Sequence, residues 1–130
     1  MGQSIKEGQM SRWKQYRIRK QQKRKLKKKS YRVEARIAEL LSVGEVERAL
    51  ELAQEFLVKH PTNVRAWGYR RGVEIWKEHI EPKLARLPQD KATVARADAL
   101  KILRGIWKVD HRLTPEKVLP KIEPVIPVSD

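Results

Sequence analysis

Between Ser11 and Arg32 the chain carries twelve Lys and Arg residues, no acid, and several aromatic rings. Arg12, Lys14, Arg17, Arg19, Lys20, Lys23, Arg24, Lys25, Lys27, Lys28, Lys29 and Arg32 supply the cations. Trp13, Tyr16 and Tyr31 supply the rings. This combination suits chemistry on a polyanion. Cations that neutralise phosphates release condensed counterions, so binding is strong and falls with salt. Rings of this kind stack on unpaired bases while Lys and Arg hold the backbone. A membrane-surface helix would instead need a sustained apolar face. Trp13, Tyr16 and Ile18 scatter around a helix that turns about 100° per residue. Two other readings stay open: a solvated tail, and an address, since Lys23-Arg24-Lys25-Leu26-Lys27-Lys28-Lys29 would serve as a nuclear localisation signal in a eukaryote.

A second set of cations lies far along the chain. Lys101, Arg104, Lys108 and Arg112 fall within about 80° of one another on a helix. They are candidate phosphate contacts, or an ordinary solvated face. Glu47, Glu51 and Glu55 recur at four-residue steps. Like charges so spaced cost a few tenths of a kcal/mol per pair. They form a solvated acidic face or a contact for a basic surface, either this chain's own arm or a neighbouring subunit.

Other chemistries lack their residues. Cysteine is absent, which removes disulfides, thiolate metal sites and a Cys nucleophile. His60, His79 and His111 have no metal-ligand spacing. The six glycines form no phosphate-binding loop, and no serine sits in a nucleophile-elbow pattern. No enzyme activity, cofactor or metal is expected.

The charge is unevenly placed. In a chain of 130 residues and net charge +14, residues 1–32 hold 13 Lys/Arg against one acid, Glu7. Residues 33–130 hold 17 Lys/Arg against 15 acids, so a nearly neutral body follows a cationic arm. The length suits one domain. No apolar run is long enough to cross a bilayer, and the N-terminus has no secretory pattern. A cytoplasmic location is expected, or a nuclear or organellar one in a eukaryote.

The body reads as helical. Leu26, Val33, Ile37, Leu40 and Leu41 keep helical spacing, with Ser30 in the stripe. They predict a first helix from about residue 24 to Val43, stopped by Gly44. A second helix spans about Glu45 to His60, buries Val46, Ala49, Leu50, Ala53, Phe56 and Leu57, and ends at Pro61. A third runs from about Asn63 to Ile80 with Trp67, Tyr69, Val73, Trp76 and Ile80 as its apolar positions. Pro82 and Pro88 bracket a broken segment. A fourth runs from about Lys91 to Leu113, with Ala95, Ala99, Leu100, Ile102, Leu103, Ile106, Trp107 and Val109 on its apolar side. No segment alternates with period two for long enough to make a strand. Thr114-Pro115 reads as a cap and first position of a short helix. Beyond it Leu119, Ile122, Val125 and Val128 recur every three residues among prolines, the period of a polyproline II edge. That edge would lie on this protein's own helices, dock on a partner, or stay loose.

Gly44, Ala49, Pro61 and Trp67, with Phe56-Leu57 and Asn63 between them, resemble the tetratricopeptide repeat family over about residues 30–78. The resemblance implies a helical hairpin and protein–protein contacts. It covers little more than one unit, whereas solenoids need three or more.

The fold expected is all-α: a basic arm over 1–32, a body of about four helices over 33–113, and a proline-rich extended tail over 114–130. The function expected is non-catalytic RNA binding within a ribonucleoprotein, with protein contacts through Glu47, Glu51, Glu55 and the tail. RNA is preferred because no helix-turn-helix, zinc finger or zipper reads a major groove here. A helical-repeat adaptor with the arm as tether or address, and a DNA-binding architectural protein, are the alternatives.

Overall fold

The computed structural model describes residues 11–127, so Val128 and the first ten residues of the arm lie outside it. The chain is all-helical, with no strand among the described residues. It divides into two compact units, Met1–Tyr31 and Arg32–Asp130.

Helix α1 covers Arg12–Ser42 and so begins well before the expected residue 24. The start signal is Ser11, whose hydroxyl accepts the Lys14 N–H at 3.1 Å. Its carbonyl takes the Gln15 N–H at 3.0 Å. Such capping satisfies backbone donors that the helix itself leaves free. Lys, Arg and Gln are good helix formers, so the segment needs no apolar stripe to be helical. At its other end Gly44 takes a φ of 78°, a left-handed conformation that favours glycine. The Glu45 N–H then reaches Leu40 O at 2.9 Å and the Gly44 N–H reaches Leu41 O at 3.1 Å, a Schellman closure.

In the second unit α2 (Val46–Lys59) packs closely on α3 (Val64–Ile75). Val46, Ala49, Ala53, Phe56 and Leu57 are buried as expected, with Leu50 half-buried. Asn63 caps α3, its Oδ1 accepting the Arg65 N–H at 2.8 Å and the Ala66 N–H at 3.3 Å. Trp67, one of the apolar positions of α3, lies at the surface. It is half exposed, and its indole N–H donates to Pro61 O at 2.8 Å.

The third helix does not stop at Ile80. A π turn over Trp76–Ile80 carries the chain into α4 (Glu81–Leu84). The Glu81 N–H bonds to Trp76 O, five residues back. This widened turn sits where a regular helix would set the Pro82 ring against the carbonyl of Glu78. The break falls later, over 85–88, and Leu84 stays buried.

Helix α5 covers Gln89–Val109 and ends short of the expected Leu113. Asp110 is extended, and its carboxylate accepts the Arg112 N–H at 2.9 Å, a local turn that competes with the helix. Val109 is consequently exposed rather than core. Trp107 is 2% exposed and donates its indole N–H to Gly68 O at 2.9 Å. Its ring meets Tyr69 edge-on at 5.1 Å. Gly72 makes room for it, since a Cβ there would lie 2.7 Å from the Trp107 ring.

The tail corrects the polyproline reading. Helix α6 covers Pro115–Ile122 with Pro120 inside it, and a single 3-10 turn follows over Glu123–Val125. Thr114 caps it through the Lys117 N–H at 3.3 Å. Val118, Ile122 and Ile126 are buried at four-residue steps, while Leu119 and Val125 are half-buried. Burial against α5 therefore selected the helical period over the three-residue one. No helix among the described residues is long and apolar enough to cross a membrane.

Candidate nucleic-acid interface

From Arg12 to Tyr31 every Lys and Arg is exposed. Helical geometry distributes these cations around α1 rather than along one stripe. No carboxylate lies among them. Trp13 is 63% exposed, Tyr16 54% and Tyr31 46%. The Trp13 and Tyr16 rings are near parallel, with 18° between planes and centroids 6.0 Å apart. Each ring carries a cation one turn away: Arg17 at 5.3 Å from Trp13, Lys20 at 5.8 Å from Tyr16 and Lys27 at 5.9 Å from Tyr31. Helical i,i+4 spacing creates these pairs, and ring quadrupoles attract the cations. The arm thus combines ordered ring faces with cations held beside them. Arg32, the last of the cationic run, is exposed at the start of the second unit.

The second basic group is only partly assembled. Lys101, Arg104 and Lys108 line one wall of a groove of about 920 Å³ between α5 and the last turns of α1. Ala35, Ala38, Glu39 and Ser42 line the opposite wall, with Leu100 and Gly105 between the cations. Arg104 leans toward Glu34, 3.8 Å away, whose side chain is only 9% exposed. Arg112 does not join them, because α5 has ended; its carbonyl accepts from Lys117 Nζ at 3.1 Å.

On α2, Glu47, Glu51 and Glu55 are exposed as the wheel implies. Glu47 pairs with Lys77 at 2.9 Å. Of the proposed tail contacts, Ile122 is buried within the body, and Leu119 and Val125 are half-buried.

Glu34 and the Glu81–Arg96 pair were not singled out from sequence. Arg96 donates to Glu81 Oε1 at 2.8 Å and to Leu41 O at 3.4 Å, and the Trp76 indole donates to Glu81 Oε2 at 3.0 Å. The pair ties the end of α1 to α4 and α5. Glu34 had a faint signal, since it falls beside the Val33–Ile37 stripe. His111 has a buried Nδ1 with no hydrogen-bond partner, and burial, then Arg65, lowers its pKa. Among the described residues no group of three or more His, Asp or Glu is placed to hold a metal ion.

No family model, no curated protein and no solved structure matches the chain.

Proposed function

We propose that the protein is a non-catalytic RNA-binding subunit of a ribonucleoprotein, gripping phosphates with its N-terminal arm. The observation that carries the reading is a helical segment with exposed cations on all sides, no carboxylate, and three exposed rings each paired with a cation. Cations on all sides suit a polyanion that wraps or encloses the segment. Exposed rings suit unpaired bases, which duplex DNA does not offer. The helical body would dock on protein or structured RNA.

Titration of the full chain against single-stranded RNA, duplex DNA and anionic vesicles tests this. Tightest binding to RNA is expected. Equal affinity for duplex DNA would favour the architectural alternative. Absence of nucleic-acid binding would leave the adaptor reading, which draws on the α2–α3 hairpin.

A further inference from the structure

Among the described residues no side chain fills the groove between α1 and α5. Its lining includes the small apolar residues Ala35 and Ala38 and the larger Leu100, which lets another helix approach closely. Its α5 wall presents Lys101 and Lys108, exposed and without carboxylate partners among the described residues. Glu39 stands on the other wall. It is paired with Arg36 at 3.1 Å, so this wall carries mixed charge and suits a protein helix of mixed charge better than a uniformly anionic backbone.

The geometry points to a second copy of this chain, whose α2 lies in the groove. Lys101, Arg104 and Lys108 span about 10 Å, at 1.5 Å rise per residue. Glu47, Glu51 and Glu55 span about 12 Å on the same rule. Glu51 and Glu55 are exposed and form no ion pair among the described residues, although they line a crevice with Arg36 and Arg48. The same face also carries Val58, 71% exposed. It lies within about 20° of Glu51 around the helix. In the contact Glu51 and Glu55, about 6 Å apart along α2, meet the more widely spaced Lys101 and Lys108 through the flexible lysine side chains, and Val58 covers the small apolar lining residues. The two surfaces differ, so the contact is heterologous and repeats from copy to copy. It does not depend on what the arm binds.

Sedimentation velocity of the full chain, without nucleic acid, tests the contact. Physiological salt is the right condition: the Debye length is about 8 Å, so repulsion between distant charges is damped while contacting pairs persist. Wild-type protein should associate in a concentration-dependent way. Lys101→Glu with Lys108→Glu in one protein, and Glu51→Lys with Glu55→Lys in another, should each weaken association by about tenfold or more. An equimolar mixture of the two should recover it, with the two proteins alternating, because each groove then meets an α2 of opposite charge. All four positions are exposed, so unchanged melting curves are expected to confirm folding. A wild-type chain that stays monomeric, or a mixture that does not recover association, overturns the inference. So does loss of RNA affinity in the Lys101→Glu, Lys108→Glu protein with self-association intact, because the groove would then belong to RNA.

Discussion

The guanidinium of Arg104 stands 3.8 Å from the carboxylate of Glu34, a side chain only 9% exposed. A buried carboxylate needs a partner, and the cation that supplies it cannot be fully given to a phosphate. The basic stripe on α5 is therefore uneven: among the described residues Lys101 and Lys108 have no carboxylate within ion-pair distance, whereas Arg104 leans on Glu34. Arg104→Gln should lower the melting temperature, because it removes a positive charge from beside the buried Glu34 carboxylate. Lys101→Gln and Lys108→Gln should leave the melting temperature unchanged. Thermal denaturation of the three variants checks this, and equal behaviour would contradict it.

Trp107 and Gly72 form the tightest fit in the core. Trp107→Ala removes a buried ring and its bond to Gly68 O, and should cost about 3–5 kcal/mol. Gly72→Ala places a methyl 2.7 Å from the ring and should cost about 1–3 kcal/mol by overpacking. Denaturant unfolding measures both. A wild-type midpoint for Gly72→Ala would mean that α3 and α5 lie farther apart.

The side chains of Arg96 and Glu81 are 15% and 23% exposed and hydrogen-bonded to each other. Removing either leaves a mostly buried polar group behind, so Arg96→Ala and Glu81→Ala should each cost about 1–3 kcal/mol. The double variant should cost less than their sum, with a coupling of about 0.5–3 kcal/mol. Additive losses would show that the two act separately.

His111 gives the body a pH dependence. Burial, then Arg65, pushes its pKa down, while Asp110 and Glu34 pull it up less strongly. A histidine with a lowered folded pKa binds fewer protons when folded than when unfolded. Its contribution is therefore intact above the unfolded pKa, about 6.5. It is lost as pH falls from there toward the folded value. Stability should drop over that interval, and His111→Gln should flatten the curve. A pH-independent difference between the two proteins would contradict the assignment.

Helix positions and core residues were legible wherever burial imposed a period. Val46, Ala49, Ala53, Phe56 and Leu57 were readable because α2 has one buried face. The arm's helix was not, because periodicity reports burial and Arg12–Lys25 has no buried residue. Ser11 held the missing information as a cap. The tail misled because prolines every few residues imitate polyproline, while the buried Val118, Ile122 and Ile126 follow the helix. Arg112 was misplaced because the Asp110 turn ends α5, a local hydrogen bond that an apolar wheel ignores. Trp67 counted among the apolar positions of α3, and a bond to Pro61 holds it at the surface.

Ring and charge should separate in the arm. Trp13→Ala and Tyr16→Ala should each weaken single-stranded RNA binding by roughly 1–3 kcal/mol. The salt dependence should hardly change, because neither residue carries charge. Fluorescence anisotropy at several salt concentrations reads both quantities. Unchanged affinity would reduce the arm to an electrostatic tether.

The central claim is that the arm supplies the phosphate contacts. It is tested most directly by the slope of log K against log[salt] for single-stranded RNA, compared between the full chain and a chain lacking residues 1–31. Each neutralised phosphate contributes a slope of about −0.7 on single strands. The full chain should give a steep slope. The shortened chain should stay helical by circular dichroism, bind weakly, and give a slope near zero. A shortened chain with equal affinity and an equal slope at physiological salt would contradict the account.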